Sequence, residues 1–585
     1  MASLAVSAKA FSSRFASRNI LRTTLAMVST DALVENPLLQ QSGLPKFQSI
    51  QPKDLTPAVE QLLEKMELDF ASLEKKMGET SSIDYDAVLP EVERIQFGIS
   101  YAWGIAGHLN GVKNGDELRE AYEANQPKVV QSITKFSQSK ALYDALSAIE
   151  KSWEGVSDDS FEMMQKKRAV EGSLRGMTLG GVGLEGAEKE RFNEIQMRLA
   201  SLSNTFSNNV LDDTKAFSLT VDDAKKMEGV PDSAKALWAN AHIQYLQSQA
   251  KEGEEKVPEM DAEAGPWRIT LDMPSYIAIM SHMPDRELRE QVYKAHILKA
   301  SEKNESKNNV PNIYEILKLK TEMAKMLGYS NFADLSLSSK MAPSVDSVQE
   351  LSNLIAEKAL PAAKKELAEV TALARSKGGD EYSEASLDKL KPWDLTFWSE
   401  RLKESKFDMT EEELRPYFAL PAVLNGMFGL VQRIFDIEVK AADGETEVWH
   451  PDVTFYKVFD GTSGKHIASF YLDPYSRPED KSGGAWMDTC IGKSKALDKD
   501  IPVAYLTCNG SPPVGKKPSL MTFGEVETLF HEFGHGLQHM LTRATEGDVA
   551  GINGVEVRMN EQMNGCDNFR FIIICWIVSL NCSFF

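Results

Sequence analysis

No cysteine occurs before Cys490 in this 585-residue chain, and three of its five cysteines (Cys566, Cys575, Cys582) fall in the last twenty positions. Hundreds of residues without a thiol exclude a disulfide-built scaffold and fit a reducing, intracellular compartment. Basic residues are also in deficit: 65 Lys and Arg face 86 Asp and Glu, a net charge of -21. Such a field repels polyanions, so neither nucleic acid nor an anionic membrane surface is expected as a partner. Long apolar runs are missing as well. The most apolar stretch, "FIIICWIVSL", begins at Phe571 and leaves fifteen residues to Phe585, short of the ~20 that a membrane-spanning helix needs. No fixed-period repeat is present, which argues against a helical solenoid.

What is present fits a large globular protein, with 42% hydrophobic and 26% charged residues. At about 150 residues per domain, the length predicts roughly four units or fewer, larger ones. Residues 1–30 hold no acid, are rich in Ser and Ala, and space Arg14, Arg18 and Arg22 along one helical face. Residues 1–35 are therefore expected to be a mitochondrial or plastid transit peptide, the alternative being a disordered extension of a cytosolic protein. From about Asn36 to Ala250 the pattern is helical; Phe192, Ile195, Leu199, Leu202 and Phe206 form one apolar stripe. The acidic stretch 250–265 reads as a connector. A second helical region runs from about Asp285 to Phe435, where Thr410 and Glu413 predict a capping box and Pro416 an early stop.

Between Val448 and Cys508 the texture changes. "VTFYKVF" and "HIASFYLD", separated by "DGTSGK", predict a β-hairpin. "IPVAYLTC" (501–508) predicts a third strand, and Pro502 near its start suggests an edge strand. After this small sheet, Thr522 and Glu525 make a capping box ahead of apolar positions at Val526, Leu529, Phe530, Phe533, Leu537 and Met540, which predicts a helix.

That helix carries "FHEFGHGLQH". His531 and His535, four apart, share one face about a turn from each other. Two imidazoles so placed can both reach one zinc ion about 2 Å away, while Glu532 reaches a water at the open position and takes its proton as general base. The motif H-E-x-x-H on a capped helix therefore predicts zinc-dependent peptide hydrolysis. His539, two turns from His531, is expected to be a supporting or surface histidine and not a ligand. The long metzincin pattern is broken by Gln538 and Leu541, so the third ligand should be a downstream carboxylate: Glu546, Asp548, Glu556, Glu561 or Asp567. Spacing alone does not choose among them.

"MTFGEVETLFHEFGHGLQHMLT" followed by "VAGINGVE" resembles the thimet oligopeptidase family of zinc metallopeptidases, in its oligopeptidase A branch. The likeness extends through "FYLDPYSRPEDKSGGAWM", "PVAYLTCNGSPP", "WDLTFWSERLKESKFDMTEEELRPYFALP" and "GPWRITLDMPSY", and covers roughly Asn36 to Glu556. It implies a mostly α-helical, zincin-like peptidase with a small β-sheet beside the motif helix and two helical domains walling a deep channel. The domains implied are 36–250, N-terminal and helical, and 265–556, catalytic. His531 and His535 match the family's zinc ligands and Glu532 its base; "PVAYLTC" resembles the edge strand on which such enzymes lay the substrate backbone. Short peptides are the implied substrates, zinc the cofactor, and a monomer the expected state.

The likeness is lost after Glu556. The family continues with Trp-Asp-Ala-Val-Glu-Leu-Pro-Ser-Gln and about two hundred further residues that supply the third ligand and substrate-binding His and Tyr residues, whereas residues 557–585 read "VRMNEQMNGCDNFRFIIICWIVSLNCSFF". This tail is expected to be a retained intron or a wrong gene model, since Val557-Arg558 is what a common splice donor encodes. Glu561 stands thirty residues after His531, where the family's ligand glutamate also falls, so it is the candidate third ligand, in unrelated surroundings. The competing expectation is a truncated, inactive relative that at most binds peptides.

Overall fold

The computed structural model describes residues 36–79, 83–250, 261–383, 390–515 and 517–554. The expected leader (1–35), most of the acidic connector, and the tail (557–585) lie outside the described residues. The chain is mostly helical. Its first half comprises α1 (Pro52–Glu79), α2 (Leu89–Val112), α3 (Asp116–Ser137), α4 (Lys140–Ser152), α5 (Phe161–Leu179) and α6 (Gly186–Ala216). A small two-stranded ribbon of β1 (Leu219–Val221) and β2 (Trp267–Ile269) encloses α7 (Asp232–Gln249). Next come α8 (Met273–His282), α9 (Arg286–Ile297), α10 (Val310–Met326), α11 (Phe332–Leu337), α12 (Val345–Lys377), α13 (Pro392–Phe407), α14 (Glu411–Leu414) and α15 (Leu420–Phe435). The capping box at Thr410 and Glu413 forms as the sequence predicts, and α14 stops after one turn ahead of Pro416. The stripe on α6 buries Phe192, Ile195 and Leu202.

The main sheet contains β3 (Ile437–Ala441), β4 (Thr454–Asp460), β5 (His466–Tyr475), β6 (Trp486–Ile491) and β7 (Val503–Gly510), in the order β3-β4-β5-β7-β6. The predicted hairpin is the antiparallel pair β4 and β5, with Phe455 opposite Tyr471. The predicted strand at 501–508 is β7, but it is not at the edge. It pairs parallel with β5 (Leu472 with Leu506) and antiparallel with β6 (Met487 with Leu506). The reason lies in its residues: Val503 to Cys508 are all buried, the continuous apolar run of a strand covered on both faces. Pro502 precedes the first paired residue and removes no ladder bond. The edge strand on this side of the sheet is β6, whose half-exposed residues alternate with less regularity.

Because side chains alternate across a strand, the sheet feeds two cores. On one face Phe455, Tyr471, Val503 and Tyr505 join the core of α1 to α5; on the other Tyr456, Phe470, Leu472, Ala504 and Leu506 pack with α15 and with α16 (Phe523–Met540). Gly536 lets α16 approach β7 closely, since a Cβ there would stand 2.9 Å from Leu506 Cδ2.

A buried ion cluster ties the sheet to α2. Asp473, fully buried at the end of β5, accepts from Trp449 Nε1 at 2.8 Å, from both terminal nitrogens of Arg477 at 2.6 and 2.8 Å, and from Lys481 Nζ at 2.8 Å. Arg477 also donates to the Val112 carbonyl at the end of α2, and Lys481 to the carbonyls of Tyr475 and of Cys508 on β7. Much of "FYLDPYSRPEDKSGGAWM" is thereby accounted for as the clamp joining β5, β7 and the first helical half.

Candidate metal centre

Helix α16 forms where the sequence predicts it. The Thr522 side chain accepts the Glu525 amide at 3.1 Å while the Glu525 carboxylate accepts the Thr522 amide at 2.6 Å, which satisfies two donors otherwise orphaned at a helix start. The other Glu525 oxygen accepts from the amide and hydroxyl of Ser511, at 2.7 and 2.8 Å, just beyond β7. The cap therefore fixes the helix both in register and against the sheet. That second tie was not legible from the local motif.

His531 and His535 are half-buried on one face, with ring centroids 4.7 Å apart and Nε2 atoms 3.1 Å apart. Two nitrogens bound at about 2.0–2.1 Å to one tetrahedral ion stand roughly 3.3–3.4 Å apart. The spacing and the imidazole chemistry of the pair thus fit a zinc ion. Glu532 lies between them in sequence and is buried; that burial pushes its carboxyl up to about 7.

The other candidates separate. His539 is 1% exposed and donates from Nε2 to the Ile491 carbonyl at 3.1 Å, so it is a buried supporting residue and not a surface one. Glu546 accepts from the Tyr85 hydroxyl at 2.6 Å, and Asp548 is held by Ser173; both face the first helical half and are removed as third ligands. Among the described residues no group of three His, Cys, Asp or Glu side chains could hold a metal. Glu556, Glu561 and Asp567 lie outside the described residues. Among those residues, too, no helix is long and apolar enough to cross a membrane.

The sequence pattern missed β6. Its signal was the contrast with its neighbour: "WMDTCI" mixes Asp488 and Thr489 with apolar residues, whereas "VAYLTC" is apolar almost throughout.

A mostly helical chain that presents H-E-x-x-H from a capped helix packed on a small mixed sheet has the build of the metallopeptidases that carry this motif. Residues 279–561 match Peptidase family M3, and residues 59–189 match the Neurolysin/Thimet oligopeptidase N-terminal domain. The chain belongs to the M3 peptidase family. It is 42% identical over 538 residues to "Organellar oligopeptidase A, chloroplastic/mitochondrial" of Arabidopsis thaliana, covering 91% of this chain and 64% of that protein. To the "Probable cytosolic oligopeptidase A" of the same plant it is 42% identical, over 91% of this chain and 72% of the relative. To the oligopeptidase A of Haemophilus influenzae it is 39% identical, over 89% and 72%. The chain thus spans 64–72% of the length of these relatives. Among solved structures it aligns with "PZ PEPTIDASE A with inhibitor 2" at 15% identity and a TM-score of 0.37, over 84% of this chain and 63% of the other.

Proposed function

We propose that this protein is a zinc-dependent endo-oligopeptidase that hydrolyses short peptides in an organelle or the cytosol. The single observation that carries the reading is the pairing of two imidazole nitrogens 3.1 Å apart with a buried carboxylate on the same capped helix. His531 and His535 would hold the zinc ion, which when bound supplies Lewis acidity toward water and the scissile carbonyl. Glu532 takes the proton from the attacking water at a carboxylate oxygen and delivers it to the leaving amine.

Substrate alignment is assigned to β6 instead of β7. In the strand order β3-β4-β5-β7-β6, β6 presents an outer edge, and α16 packs against both β6 and β7. A peptide added along that edge forms main-chain hydrogen bonds that do not depend on its side chains, which suits a broad appetite for short peptides. The relatives named oligopeptidase A, organellar and cytosolic, support this substrate class and both locations. Glu561 is the proposed third ligand.

A second reading is a relative that binds peptides without cleaving them: the described downstream carboxylates Glu546 and Asp548 are turned to Tyr85 and Ser173, so the third ligand, and with it cleavage, depends on residues outside the described ones. Cleavage of an internally quenched peptide by the zinc-loaded chain, with Glu532→Gln as control, decides between them. Turnover that is lost in the control while zinc is retained supports the peptidase; peptide binding without turnover supports the second reading.

A further inference from the structure

Three segments meet at His539. The residue lies two turns after His531 and one turn after His535 on α16, fully inside the protein. On one side its Nε2 donates to the Ile491 carbonyl at 3.1 Å, with the Val503 backbone alongside. Ile491 and Val503 are the last register pair of β6 and β7, just past a register shift that begins at Thr489. The ladder is therefore irregular at the place where the imidazole takes up a β6 carbonyl. On the other side the backbone of Gly551 lies over the ring: φ there is +66°, and a Cβ would stand 2.5 Å from His539 Nδ1. The adjacent Gln538 donates to the Gly551 carbonyl at 3.4 Å. Gly551 belongs to the segment that leads from α16 toward residue 556 and beyond.

We propose that His539 is a positioning residue for the peptidase site: one imidazole fixes the end of edge strand β6 and the return segment at Gly551 to the helix that carries His531 and His535. This rests on the peptidase reading given above. A peptide lying on β6 is held at a set distance from Glu532 only if the strand cannot slide along α16. The lateral ladder to β7 leaves that motion least restrained at its irregular end, and the His539 bond closes it. The imidazole touches neither substrate nor the reacting atoms. Its contribution is geometric.

The test uses the full chain with His539→Ala and His539→Gln, read by amide hydrogen exchange without metal and by peptide kinetics with zinc. In His539→Ala the buried Ile491 carbonyl loses its imidazole donor, which predicts exchange faster by about tenfold or more in residues 489–493 and 549–553. Exchange in α1 to α5 stays unchanged. Zinc stoichiometry is retained, and KM for peptides rises by about tenfold while kcat changes less than about threefold. His539→Gln, whose amide can donate to the same carbonyl, recovers most of both effects. Wild-type exchange and KM in His539→Ala would overturn the proposal, as would an alanine variant whose exchange rises uniformly along the chain, or a glutamine variant no better than alanine. A wild-type chain without turnover defeats the peptidase reading separately, because the exchange measurement still decides whether His539 holds the strand.

Discussion

Replacing Asp473 by asparagine tests whether the ion cluster clamps the sheet to the first helical half. In the wild type the buried carboxylate faces Arg477, 10% exposed at its side chain, and Lys481, 0% exposed. Burial pushes the Asp473 carboxyl up, but the Arg477 hydrogen bonds and the charges of Lys481 and Arg477 outweigh it and hold the group below the usual carboxylate range. Its contribution to stability is therefore fully present above about pH 4 and is lost as pH falls through the lowered value. The amide introduced by Asp473→Asn would keep one acceptor, turn its own N–H donors toward other donors, and leave two buried cations opposed by Asp480, 3.5 Å from Arg477 Nε and 32% exposed at its side chain, and at longer range by Asp452. Breaking a buried pair in this way costs about 3–5 kcal/mol. Lys481→Met should cost less, because the bidentate Asp473–Arg477 pair remains neutral. The assay is urea unfolding followed by tryptophan fluorescence and circular dichroism in parallel, with the m-values compared to check that one transition is being measured. A loss below about 1 kcal/mol in Asp473→Asn, or a larger loss in Lys481→Met, would refute the electrostatic account.

Two further predictions concern the surroundings of the site. Burial is the main cause that raises Glu93 to about 7, opposed by the Ser494 hydrogen bond and reinforced by Asp548 and Glu546. Between its ordinary value of 4.5 and 7 the folded chain holds a proton that the unfolded chain has lost. Stability from this group is therefore full below about pH 4.5 and falls as pH rises toward and through 7. Glu93→Gln should flatten that slope in unfolding curves taken from pH 5 to 8, and an unchanged slope would remove Glu93 as its source. Thr522→Ala removes the cap of α16 and should cost about 1 kcal/mol in urea unfolding; Thr522→Ser should cost much less, and equal losses would mean that the hydroxyl is not the stabilising group.

The helices, the hairpin and the juxtaposition of the two motif histidines were legible in the sequence because each rests on local signals. The Thr522–Glu525 box, the spacing of His531 and His535, and the turn "DGTSGK" act over a few residues. Strand order does not. Whether "IPVAYLTC" is central or at the edge depends on pairing with β5 and β6, and its nearly continuous apolar run was a better guide than its proline. Glu546 and Asp548 were plausible ligands by spacing, and only the fold shows them turned toward Tyr85 and Ser173. His539 likewise looks like one more histidine in a motif until Ile491, 48 residues earlier, is seen to lie against it.

Zinc binding by the purified chain, titrated against a chromophoric chelator, tests the central claim most directly. The account predicts one zinc per chain, with affinity reduced about a hundredfold or more in both His531→Ala and His535→Ala and retained in Glu532→Gln. No binding, or binding indifferent to His535→Ala, would contradict it.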